Sequence, residues 1–242
     1  MRPNLVFSGP TLSHTEAMEE LEAIYLPPAV QGSIVAAVKR FDPRAILLID
    51  GGFQSEPAIR HKEILWALSL GIPVIGAASM GALRAAELFP HMQGAGLIYR
   101  WYRRYPFAPD DAVAVLYGPP EMNFAPLTQA LVDLRMTFRA AQRQQMISGG
   151  LRTKLDSVAQ GLNFRDRTLA RIVSGALPHQ PEAAVEKCRA TLAAALIQQK
   201  KKDALAALLL LRNEAYAAHP ALKTFSLTVA FARDLEDAGL TL

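Results

Sequence analysis

Three short stretches carry the residue types from which chemistry could be built. They are Ser8-Gly9-Pro10-Thr11, Asp50-Gly51-Gly52-Phe53 and Ala77-Ala78-Ser79-Met80-Gly81. Each closes an apolar run, and the carboxyl ends of strands are where open α/β sheets bind ligands. The third stretch is the most specific. A strand pattern (IPVIGA), then Ala-Ala-Ser-Met-Gly, then a helical pattern (ALRAAEL) is the setting of a nucleophile elbow. Ala77 stands where the G-x-S-x-G motif has its first glycine. A serine there presents its Oγ at a helix N-terminus, where the Met80 N–H could stabilise an oxyanion. The blander role for Ser79 is an ordinary N-cap, and the two roles are compatible.

A nucleophilic serine needs a base. His61, in Arg60-His61-Lys62-Glu63 just after the second strand end, is the leading histidine, and His14 the second. Asp50 could orient the base or simply cap the turn at Gly51-Gly52. Asp110 and Asp111 have the same two readings. Gly9, Gly51, Met80, Gly81 and Arg84 are the candidate substrate and oxyanion contacts, with Lys62, Glu63, Glu87, Asp110 and Asp111 in possible support. Arg84 and Glu87 are helical neighbours, so an internal ion pair competes with carboxylate binding by Arg84. Tyr99, Trp101, Tyr102, Arg103, Arg104 and Tyr105 form the densest aromatic–basic cluster, either a partner surface or a loop packed on the sheet.

The elements that must position these residues alternate in the first half. Strands are expected at Leu5–Phe7, Ala45–Ile49, Ile72–Ala77 and Ala112–Tyr117. Helices are expected from a capping box at Ser13 and Glu16, around Ile34–Phe41, over Ala58–Leu70 and over Met80–Phe89. That alternation implies a Rossmann-like, doubly wound parallel sheet. From Pro126 the strand signals stop. Helical spacing runs from Leu127 to about Ile147, closed by Gly149-Gly150. It resumes over Leu151–Leu162, Arg165–Leu177 and Glu182–Ala218, the last as two helices meeting near Lys200-Lys201-Lys202, and ends with Thr228–Asp237 beyond Pro220. The expected organisation is an α/β core over residues 1–125 and a helical region over 126–242.

Composition narrows the function. The chain of 242 residues is 51% hydrophobic and 20% charged, with mean hydropathy +0.13, which excludes intrinsic disorder. Its longest apolar run, Ala204–Leu211, is too short for a membrane span, and no signal peptide is visible. A soluble cytoplasmic protein is expected. The single cysteine, Cys188, rules out an internal disulfide framework. It reads more readily as a small buried hydrophobe than as a persulfide carrier. The five histidines are scattered, so no metal site is expected. There is no P-loop and no GxGxxG, so no nucleotide cofactor is expected. Residues 1–125 carry 10 Lys+Arg against 12 Asp+Glu, and residues 126–242 carry 16 against 10. The basic half suits an acidic partner, at a density below that of a nucleic-acid binder.

Several segments together resemble one family. GPTL, PPAVQGSI, IDGGFQSEPAIRHKEILWALSLGIPVIGAASMGALRAAEL, MQGAGLIYRWY, DDAVAVLY and ALVDLRMTF are similar to the TfuA family over about residues 5–140. The resemblance implies a partner of YcaO enzymes, which use ATP to activate a peptide amide and, with TfuA, install a backbone thioamide in ribosomally made peptides. It also implies recruitment of a ubiquitin-like sulfur-carrier protein bearing a C-terminal thiocarboxylate, with release of its sulfur. The precursor peptide is a further possible partner. A thiocarboxylate is an acyl donor, so hydrolysis through Ser79, His61 and Asp50 is one reading, with Arg84 steadying the carrier's tail. The other reading is a non-catalytic adaptor that brings carrier or peptide to YcaO and activates it. Two positions depart from the family pattern: Ser33 and Ala112 stand where acidic residues are expected. If either acid were the orienter, this chain would be impaired or would rely on Asp50.

Overall fold

The computed structural model describes residues 2–53, 56–216 and 225–242. The expected end of a helix at Ala218 and the break at Pro220 lie outside those residues. Elements alternate through the first hundred residues: β1 (Asn4–Phe7), α1 (His14–Glu20), β2 (Ile24–Leu26), α2 (Ser33–Phe41), β3 (Ala45–Leu48), α3 (His61–Ser69), β4 (Val74–Ala77), α4 (Met80–Glu87), β5 (Gln93–Ala95) and α5 (Gly96–Arg104). The five strands form one parallel sheet in the order β2-β1-β3-β4-β5. The fold is α/β, followed by a helical region: α6 (Leu131–Arg143), α7 (Gly149–Gly161), α8 (Leu169–Ala176), α9 (Glu182–Ala194), α10 (Gln199–Arg212) and α11 (Val229–Asp237).

Three strand assignments differ from the sequence pattern. Ala112–Tyr117 is not a strand. Asp110–Ala112 forms a 3-10 turn, and Tyr117 makes only an isolated antiparallel bridge to Pro126. Ala112, Val113 and Ala114 are buried, so the apolar run does find a core. Its backbone is satisfied locally instead of by a ladder, with Ala114 N–H donating to the Asp111 carbonyl and Leu116 N–H to Thr128 Oγ1. Conversely, β2 and β5 are real but only three residues each, too short for alternation to register. In β5 the pairing is shaped by packing: a side chain at Gly94 would lie 2.1 Å from the Tyr99 ring. Gly149-Gly150, expected to end a helix, instead opens α7, capped by the Ser148 hydroxyl.

The chain forms two compact units, residues 1–108 with 201–242, and residues 109–200. In the first, β1, β3 and β4 are wholly buried. Ala204, Ala207, Leu208 and Leu211 of α10 share a core with Val6, Leu47 and Ile75, so α10 covers one face of the sheet. Phe231 and Leu235 of α11 pack with Val35 and the half-buried Trp66. In the second unit, the fully buried Arg167 is held by the Ala159 and Leu162 carbonyls and by Asp111, at 2.8 Å to its carboxylate. Among the described residues no helix is long and apolar enough to cross a membrane.

Candidate functional site

The strand order fixes where a site should form. From β1 the chain steps outward to β2, and from β3 it steps the other way to β4 and β5. The switch point lies between β1 and β3, where the crevice at the carboxyl ends takes ligands in such sheets. Asp50 stands there, 1% exposed. One carboxylate oxygen accepts from Gly9 N–H at 2.9 Å and Thr11 N–H at 3.0 Å, and the other accepts from Thr11 Oγ1 at 2.5 Å. Asp50 therefore ties the β1 loop to the β3 end. Gly51 is required by close approach, since a Cβ would meet Met80 Cγ at 2.8 Å and the Ala29 carbonyl at 2.9 Å. Ser8 is fully buried, and its Oγ has no partner among the described residues.

The β4 end is built differently. Ser79 N–H donates to the Ala77 carbonyl at 2.7 Å across Ala78, whose φ is +65°. This is a three-residue turn of the rare, strained hand, and positive φ is uncommon for alanine. Ser79 is the N-cap of α4, but its side chain makes no cap hydrogen bond, and among the described residues its hydroxyl has no partner. Gly81 N–H donates to the Ile49 carbonyl, and Ala82 and Leu83 N–H to the Ser79 carbonyl. The Met80 N–H is thus left over in the first turn. Gly81 is fixed by space: a Cβ would lie 1.8 Å from the Leu48 carbonyl oxygen. The strand–turn–helix setting read from the sequence is present, with unusual backbone at Ala78 (φ +65°) and also at Ser79, whose ψ of −125° lies outside the ordinary helix and strand regions.

The remaining candidates form a second group along α4. His61 Nε2 lies 2.7 Å from Glu87 Oε2, and Arg84 Nη1 is 2.6 Å from the same oxygen. Arg84 Nε also donates to the Ile59 carbonyl at 3.1 Å. Burial works to raise the Glu87 pKa, but the His61 and Arg84 hydrogen bonds outweigh it and hold the carboxyl below the ordinary range. Helical rise puts Glu87 about 12 Å beyond Ser79 along the axis, so His61 is anchored toward the far end of α4. No hydrogen bond joins Ser79 to His61 or to Asp50, and no hydrogen bond joins Asp50 to His61.

Lys62 and Glu63 hold elements together. Lys62 Nζ donates to the Ser226 carbonyl at 3.3 Å and lies 5.4 Å from the Phe225 ring centroid. Glu63, 1% exposed, accepts from Gly32 and Ile34 N–H at the start of α2 and from Arg60 N–H. Burial pushes its pKa up against the lowering pull of those bonds. Ser33, where an acid was expected, accepts from Val30 N–H through its hydroxyl. Asp110 and Asp111 belong to the second unit, where Asp111 serves Arg167. Cys188 is half-buried, and burial raises its thiol pKa, which disfavours the thiolate. Thr11, the partner of both Asp50 oxygens, and Ala78, the strained residue, lie in two of the stretches marked by sequence, but neither was given a role of its own, because neither the long-range bond nor the positive φ leaves a local signal.

Residues 50–168 match the family model described as TfuA-like protein, just under half of the chain. Over that span the chain is similar to the TfuA-like family. The family is associated with YcaO enzymes and peptide thioamidation. The matched stretch opens at Asp50 and takes in His61, Ser79, Arg84 and Glu87 before running into the second unit. No curated relative matches the chain.

Proposed function

We propose that this TfuA-like protein releases sulfide from the C-terminal thiocarboxylate of a ubiquitin-like sulfur-carrier protein, for use by a YcaO enzyme in peptide backbone thioamidation. The observation that carries the reading is the β4 corner, where a serine hydroxyl without a partner sits beside an unused Met80 N–H at a helix N-terminus. Ser79 Oγ attacks the carrier's carbonyl carbon, and the Met80 N–H stabilises the oxyanion. The carbon–sulfur bond breaks, and the departing sulfur takes the Ser79 proton and leaves as hydrosulfide. Water then cleaves the Ser79 ester, giving the carrier carboxylate and a proton and restoring the hydroxyl. Because the sulfur accepts the first proton, acylation does not require His61. Arg84 lies about 7–8 Å from Ser79 along α4, a span of about two extended residues. Its Nη2 has no partner among the described residues and is suited to a carbonyl of the carrier's tail.

The second reading, a non-catalytic adaptor, is favoured by one observation: no side-chain base is hydrogen-bonded to Ser79. Incubating thiocarboxylated carrier with the wild type and with Ser79→Ala, and following the carrier's mass, separates the two. Hydrolysis predicts conversion to carboxylate by the wild type and a loss of about 10³-fold or more in the variant. Unchanged turnover in Ser79→Ala removes the serine from the chemistry. Binding without turnover by the wild type supports the adaptor.

A further inference from the structure

The aromatic–basic cluster resolves into an inner and an outer layer. Tyr102 is buried, and Tyr99 packs over Gly94. Facing outward are Arg100, Arg103 and Arg104 of α5, with Leu97 38% and Phe107 100% exposed. Leu97, Arg100 and Arg104 follow helical spacing on one face. None of the three arginines has an acidic partner among the described residues. Arginines in a last helical turn favour the negative end of the helix dipole, which accounts for Arg103 and Arg104 but not for Arg100. It also gives no reason for a fully exposed phenylalanine three residues past the helix.

We infer that this face of α5 is a docking surface for an acidic, leucine-bearing segment of a partner protein. Unpaired guanidiniums around exposed apolar side chains are the composition of an interface centre, and carboxylates complete the guanidinium forks. A nucleic acid fits less well. The unit of residues 1–108 and 201–242 is nearly neutral, with 15 Lys+Arg against 14 Asp+Glu, where a polyanion binder needs broad positive charge. Two of the aromatic rings, though not Phe107, are also covered on a face: the Arg103 guanidinium lies 3.8 Å from the Phe89 ring centroid and that of Arg104 5.8 Å from Tyr105. A stacked guanidinium covers the ring face a base would use but leaves its N–H edge open to carboxylates. The inference is independent of the Ser79 chemistry.

The test uses the full-length protein and a fluorescein-labelled peptide of alternating glutamate and leucine, read by anisotropy. The peptide binds, more weakly as salt rises. The combined Arg100→Glu, Arg103→Glu, Arg104→Glu variant loses binding by at least about tenfold, and Phe107→Ala loses roughly five- to tenfold. Arg139→Glu with Arg143→Glu, on exposed positions of the other unit, leaves binding unchanged. Equal loss in that control would overturn the site. So would a polyglutamate peptide binding as tightly as the leucine-bearing one, or a single-stranded oligonucleotide binding more tightly than either. Because Phe107 is fully exposed, its truncation keeps the fold and tests the surface even if the charge reversal does not.

Discussion

The ends of β3 and β4 lie side by side in one sheet and use their polar atoms in opposite ways. At the β3 end both oxygens of Asp50 are engaged, by two backbone N–H groups and a hydroxyl. At the β4 end the Ser79 hydroxyl makes no cap bond, the backbone at Ala78 is strained, and one first-turn N–H is unused. A saturated buried carboxylate is a fastener, because moving it strands its donors. An unsaturated corner held in an unfavourable backbone conformation is the kind of place where a fold stores strain for function. Two polar residues at adjacent strand ends are thereby separated into support and candidate chemistry.

The β4 corner depends most heavily on one glycine. Gly81→Ala forces a methyl group to 1.8 Å from the Leu48 carbonyl, and we expect a loss of roughly 3 kcal/mol or more, seen as a large fall in thermal midpoint. Next, Asp50→Ala strands three buried donors and should cost of order 3 kcal/mol. Ser79→Ala removes no hydrogen bond and should stay within about 0.5 kcal/mol of wild type. Denaturant titration of the pair reads the contrast directly, and equal losses would erase it.

The smallest expected effect concerns the Arg84–Glu87–His61 group. Glu87 has a folded pKa below its ordinary value, so its contribution is present above the unfolded carboxylate pKa and is lost as pH falls through the lowered one. Glu87→Gln should therefore flatten the acid limb of the stability profile below about pH 4.5. The group is partly solvated, so the change is under about 1 kcal/mol. Thermal midpoints from neutral pH to the acid range check it.

Much of this was legible in the sequence, for identifiable reasons. Ala45–Ile49 is apolar on both faces, which suits the central parallel strand found at Ala45–Leu48, and Ser13 with Glu16 spelled out the cap that α1 uses. Ser79 was placed correctly at the strand–helix corner by its small neighbours. What the sequence could not show was hydrogen-bond partnership at a distance. Asp50 meets Thr11 and Glu63 meets Gly32 across 39 and 31 positions of sequence that include whole strands and helices, and neither pairing leaves a local pattern. The run Ala112–Tyr117 misled because burial alone does not decide whether a backbone joins a ladder or is satisfied by turns and a threonine hydroxyl.

The central claim is that Ser79 carries the acyl group of the carrier. Wild-type protein and thiocarboxylated carrier, mixed with hydroxylamine and followed by mass, test it most directly. Carrier hydroxamate should form along with sulfide release, through capture of the Ser79 ester, and Ser79→Ala should form neither. Full-rate sulfide release from the wild type with no hydroxamate at any hydroxylamine concentration would contradict it.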